Sequence, residues 1–231
     1  MMRRSLRDGL PSALLALALC ACAYTGADDP VSRKFSWFSY LNGDDIRQSC
    51  SAGGPDRYRV VYNGINIEQR RTYDLTVGAG RRGHSMAVRI IGASDLSDFS
   101  ASDLFGPWRG AAADTWLLDG QLAEIVGAME RDGNWGGPPF GLRLPSIGFY
   151  WVVVSCRGGR FFFDAYLWPA ERFRQAELPG RLLALDPTGV ALNPPRDATE
   201  SLVYPDRASE DSRNYTLDVG RDGLVGIRTL F

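Results

Sequence analysis

The chain has 231 residues, 45% of them apolar and 23% charged, and a formal charge of −1. Those proportions exclude a disordered chain. The near-zero charge argues against nucleic acid or an anionic lipid surface as a partner, since neither finds a basic footprint here. Lys34 is the only lysine, so 25 of the 26 basic residues are arginine. The bias fits a GC-rich genome; a surplus of anion-binding guanidinium groups is the alternative.

The N-terminus carries Arg3, Arg4 and Arg7, then an apolar run from Leu10 to Leu19, then small residues and cysteines. A basic start, a short apolar stretch and a small-residue end make an export signal, and the run is too short to span a bilayer. Leu19-Cys20-Ala21-Cys22 resembles the lipobox of bacterial lipoproteins. The resemblance implies cleavage before Cys22, acylation of its thiol, and a membrane held through lipid. Leu17-Ala18-Leu19-Cys20 fits less well, because Leu19 is bulky where a small residue is wanted. Ala23 rather than Asp after Cys22 is compatible with sorting to the outer membrane. An ordinary secretory signal with incidental cysteines is the competing reading. Removal of residues 1–21 leaves 210 residues with 23 basic and 26 acidic side chains, enough for a sizeable core. Residues 22–34 then form a lipidated start and tether, and 35–231 a single globular domain. The eight residues 23–30 reach some 15 Å as a flexible chain.

Two further thiols remain, Cys50 and Cys156. An even pair in an oxidising compartment points to a disulfide, with two free buried thiols as the alternative.

Along the chain, residues 35–41 (FSWFSYL) read as a first strand or an aromatic patch on the core. Residues 57–77 hold two β-prone runs about Asn63-Gly64, a pair suited to a two-residue turn. Residues 85–91 form a third strand. Leu118, Leu122, Ile125 and Met129 fall at helical spacing, predicting one amphipathic helix over 114–131. Residues 146–156 (SIGFYWVVVSC) are apolar on both faces, hence a buried strand. Arg157-Gly158-Gly159-Arg160 turns that strand into residues 161–168, a second hairpin. Residues 181–192 suit a short hairpin and 215–231 another, about Arg221-Asp222-Gly223. The fold class is therefore α+β or mainly β: a mostly antiparallel sheet or sandwich with one amphipathic helix. KFSWFSYLNGDDIR and RYRVVYNGINIEQRRTYDL resemble runs in uncharacterised exported proteobacterial proteins, a likeness that brings no activity.

Several patterns invite chemistry. Gly78-Ala79-Gly80-Arg81-Arg82-Gly83 matches G-x-G-x-x-G, but it leads into a β-like run where a dinucleotide site requires a helix, so no nucleotide is expected. Its glycine amides with Arg81 and Arg82 form a possible anion cradle, against the alternative of a solvated hairpin loop. His84 is the only histidine, without a G-x-S-x-G elbow or companion ligands, so neither a triad nor a metal is expected. Asp95, Asp98 and Asp103 read as helix caps rather than calcium ligands. The Gly/Pro loop from Asn134 to Gly141 projects Trp135 and Phe140, the best candidate recognition surface; packing of both rings onto the core is the alternative. Phe231, with Val225 and Ile227 at alternate positions, resembles the closing strand of outer-membrane barrels.

The expected function is a membrane-anchored exported lipoprotein with a non-catalytic binding or envelope-assembly role, its partner an envelope protein or cell-wall component. No cofactor, metal, nucleotide or nucleic acid is expected. An exported hydrolase using carboxylates and a small outer-membrane β-barrel are the alternatives.

Overall fold

A computed structural model describes residues 37–80, 83–92, 110–196 and 215–229, with 228 and 229 described by their backbone. Cys22, Arg81, Arg82, Asp95, Asp98, Asp103 and Phe231 lie outside them. The architecture is mostly antiparallel β with a few helices. In chain order it comprises α1 (Trp37–Asn42), α2 (Asp44–Ser49), β1 (Arg57–Gly64), β2 (Gln69–Gly80), β3 (Gly83–Gly92), β4 (Ala111–Leu117) and α3 (Asp119–Arg131). There follow β5 (Arg143–Pro145), β6 (Phe149–Arg157), β7 (Arg160–Leu167), α4 (Glu171–Gln175), α5 (Leu178–Leu185), β8 (Tyr215–Val219) and β9 (Leu224–Thr229). Six strands form one sheet in the order β4-β3-β2-β1-β6-β7, and β5-β8-β9 form a second.

The large sheet is covered on both faces. Strand alternation sends Tyr58, Val60, Tyr62, Tyr73, Leu75, Met86, Val88, Phe149, Trp151 and Val153 to one side, where Ile125, Ala128 and Met129 of α3 and Leu178 and Leu182 of α5 cover them. Val61, Tyr150, Val152, Val154, Phe163 and Ala165 face the other way. There they meet Tyr40, Leu41 and Ile46 of α1 and α2, and Leu144, Leu217, Val219 and Leu224 of the small sheet. Burial on both faces explains why β6 reads as a continuous apolar run, the pattern usual in parallel sheets. Each large side chain so buried contributes about 1.5–3 kcal/mol.

The β6–β7 hairpin follows its turn chemistry. Gly158 and Gly159 take φ of 57° and 75°, positive at both central positions as a two-residue turn demands, with Arg157 paired to Arg160. The expected turn at Asn63-Gly64 is displaced: both residues lie in β1, and the chain reverses over residues 65–68. Asn63 is 2% exposed, and its side chain donates to the Ser146 and Gly148 carbonyls at 3.0 and 2.7 Å. Those bonds serve the core better than a solvent turn would.

Three other boundaries differ. Residues 37–42 are helical, which stacks Trp37 on Tyr40 at 5.5 Å and sends Tyr40 and Leu41 into the core. The helix expected over 114–131 begins at Asp119, because Asp114–Leu117 pairs with β3. Its first turn is closed by the Leu118 N–H donating to Gln121 Oε1 at 2.9 Å. Residues 178–185 are helical, not part of a hairpin, and bury Leu178 and Leu182.

Among the described residues two arginines are buried, one on each face. Arg71 points among the tyrosines under the helices and donates to Asp186 Oδ2 at 2.6 Å and to the Ala191 carbonyl at 3.2 Å. With Gln69 it straps residues 186–193 over the sheet. Arg59, 1% exposed, lies on the opposite face between Asp45 and Asp74.

Candidate functional site

Residues 134–141 connect α3 to β5, and each end is pinned. Asn134 N–H donates to the Met129 carbonyl at 2.9 Å, so the loop leaves the helix in a fixed direction. At the far end Gly141 N–H donates to the Val219 carbonyl at 2.9 Å, and Val219 N–H to the Leu142 carbonyl at the same distance.

Asn134 is 1% exposed. Its amide donates to Asp164 Oδ2 at 2.9 Å and also to the Tyr166 hydroxyl. Asp164, fully buried in β7, accepts Arg172 Nη1 at 2.8 Å and the Ala165 N–H at 2.8 Å, and Arg172 Nη2 as well. Burial pushes its carboxyl above the ordinary range, and Arg172, Ala165 and Asn134 offset only part of that. The unit fastens α4 and the loop to the sheet.

The structure separates the two aromatics. Trp135 is half-buried and packs on the helix-covered core. Its ring meets Phe162 edge-on at 5.3 Å and Tyr58 at 6.4 Å, with the Arg157 guanidinium over it at 4.9 Å. Its indole N–H is buried with no acceptor among the described residues. Trp135 therefore anchors the loop. Phe140 projects, 69% exposed, with Arg221 stacked at 5.3 Å.

Phe140 forms one wall of an open concavity of about 540 Å³ whose other walls are Asn42, Arg47 and the β8–β9 turn, residues 220–225. That turn is docked on α1 and α2. Leu224 N–H donates to Asn42 Oδ1 at 2.8 Å; Arg47 donates to the Asp222 carbonyl and lies over Phe161 at 3.9 Å. Gly223 takes φ of 133°, a conformation strained for any L side chain, and a Cβ there would also stand 2.5 Å from Asn42 Oδ1. Val225 and Ile227 of the adjoining strand are 70% and 49% exposed. The result is an apolar surface rimmed by Arg47 and Arg221, and Asp222 is the one carboxylate among its lining residues.

The other sequence candidates fall elsewhere. The described glycines of the G-x-G-x-x-G run close a hairpin between antiparallel β2 and β3, where a dinucleotide fingerprint would lead from a strand into a helix. His84 stands at the start of β3; Nδ1 accepts Gly78 N–H at 3.1 Å, leaving Nε2 to donate to Asp119 Oδ1 at 3.0 Å. Cys50 and Cys156 are joined by a disulfide, their Cα atoms 5.5 Å apart.

No protein-family model matches the chain, and comparison with curated proteins and with solved structures returns no match.

Proposed function

We propose that this chain is an exported, lipid-anchored binding module. Cys22 carries the lipid in the cell envelope, compatible with the outer membrane, and the surface around Phe140 grips an envelope protein or cell-wall component. The observation that carries the reading is the meeting of Phe140 and Val225, both solvent-exposed, at one concavity with an arginine rim, with Ile227 exposed two residues further along the same strand. Exposed apolar side chains gathered in one place mark an interaction surface where scattered ones do not. The disulfide supports an oxidising compartment. A hydrolase would need two carboxylates flanking one cleft; here Asp222 lines the concavity, while Asp164 is fully buried and held by Arg172.

Intact mass of membrane-extracted protein should show acylated Cys22 as the first residue; a detergent-free soluble form beginning further downstream would overturn the anchor. Recognition is tested separately, with a photo-reactive phenylalanine analogue at position 140 or 225 and at Val190, an exposed site away from the concavity. Crosslinks to one envelope component are expected at 140 and 225 and not at 190. Phe140→Ala should weaken its capture roughly 30-fold, corresponding to ~2 kcal/mol for an interface aromatic, with an unchanged melting temperature. Equal labelling from Val190, or undiminished capture by Phe140→Ala, overturns the reading.

A further inference from the structure

The tip of the β6–β7 hairpin holds two positive charges without an ion-pair partner among the described residues. Arg157 and Arg160 are register partners across the Gly158-Gly159 turn, so strand parity places both side chains on the same face, beside each other. Like charges so placed repel, and a hairpin under no other demand would avoid them. Neither forms an ion pair with a carboxylate among the described residues. Asp56, a carboxylate near this tip, is held by neutral donors, Gly158 N–H on its Oδ1 at 2.7 Å and the Tyr58 hydroxyl on its Oδ2 at 3.2 Å, so its single charge offsets at most one of the two cations.

Both guanidinium groups are instead braced on rings. Arg157 lies over Trp135 at 4.9 Å and Arg160 over Phe162 at 5.3 Å, and the two rings touch each other at 5.3 Å. A guanidinium stacked on an aromatic face keeps its N–H groups directed away around the rim, and loses less freedom when a ligand arrives. The two stacked cations thus form a pre-set pair of donor forks on a rigid turn. The chain's overall charge conceals this, because it averages such a pair against carboxylates elsewhere.

We propose that Arg157 and Arg160 form a binding site for a phosphoryl anion, distinct from the Phe140 concavity and independent of the function assigned to it. Free phosphate carries nearly two negative charges and a phosphodiester headgroup one, and each presents at least two acceptor oxygens to two forks that bond bidentately. Trp135 and Phe162 are positioning residues: they brace the cations, and their covered faces are not offered to the ligand.

The test is calorimetric titration of the detergent-solubilised full-length protein at constant ionic strength. One arm uses inorganic phosphate, the other monomeric dihexanoyl phosphatidylglycerol. Saturable binding of either probe at one site is expected: phosphate identifies a free anion as the ligand, and the lipid without phosphate identifies a headgroup. Arg157→Gln with Arg160→Gln should weaken that binding about tenfold or more, with an unchanged circular dichroism melting curve. Arg174→Gln, an exposed arginine stacked on Trp168 at 5.6 Å, should leave it unaltered. Binding of neither probe, persistence in the double variant, or equal weakening by Arg174→Gln overturns the proposal.

Discussion

Replacing Cys50 and Cys156 together with alanine should lower the unfolding free energy by about 2–5 kcal/mol, the usual range for a native disulfide. The bond closes a loop spanning 106 positions, for which the chain-entropy model gives a contribution near the upper end, ~4.7 kcal/mol. Its placement adds a local reason. Cys50 caps α2, and Cys156, 3% exposed, sits near the end of β6. The crosslink therefore holds α1 and α2 against the sheet face on which their Tyr40, Leu41 and Ile46 pack. For a protein of this size the loss should appear as a fall of roughly 5–15 °C in melting temperature. Because Asn42 and Arg47 of those helices support the β8–β9 turn, Phe140-dependent capture should weaken in parallel. Urea titration of the double variant beside the parent, with and without reductant, decides it. A variant as stable as the oxidised parent would mean that the packed helices hold themselves.

How much was legible in the sequence depends on the range of the interaction. The Gly158-Gly159 hairpin was readable because its signal is local: two glycines where two positive φ angles are needed. The β6 run and the Leu122, Ile125, Met129 stripe were readable because periodicity reports burial directly. Residues 37–42 were ambiguous, since a short aromatic run satisfies both periods and only packing chooses between them. Asn63-Gly64 misled because a strong local turn signal was overruled by carbonyls contributed from residues 146 and 148. The disulfide followed from counting thiols. In the candidate loop, the presence of two aromatics was plain, yet their division into one anchor and one projecting ring was not. That division depends on Phe162 and Arg157 reaching Trp135 and on Arg221 reaching Phe140, and no sequence spacing encodes those meetings. Strand parity does place Arg71 with Tyr73 and Leu75, flagging a buried charge; its partner Asp186, 115 positions away, carries no signal.

Arg59→Met should be among the most damaging single substitutions in the fold, costing about 3–5 kcal/mol, as removal of one partner from a buried ion pair does. The Arg59 guanidinium donates Nε to Asp74 Oδ1 at 2.6 Å, Nη1 and Nη2 to the two oxygens of Asp45 at 2.7 and 3.0 Å, and Nη1 to the Tyr40 carbonyl at 3.0 Å. It also lies over the Tyr40 ring at 3.8 Å. Methionine keeps most of the volume, so the loss is electrostatic: two carboxylates remain beneath α1 and α2 without their shared cation. Arg57, 3.1 Å from Asp45, stays in place and brings the cost toward the lower end. The pH dependence identifies the cause. Burial works to raise the Asp45 carboxyl, but Arg59, aided by Arg57, outweighs it and holds the group below its ordinary value. A carboxyl lowered in the folded state contributes stability that is present above the unfolded pKa, ~3.9. That contribution disappears as pH falls through the folded value. In Arg59→Met burial acts with far less opposition, so protonation of Asp45 relieves the variant in the range where it weakens the parent. The stability gap should therefore be widest above about pH 5 and narrow as pH drops below ~4. Asp45→Asn in the Arg59→Met background should recover part of the loss at neutral pH. A gap that stays constant with pH and ignores Asp45→Asn would assign the cost to packing against Tyr40.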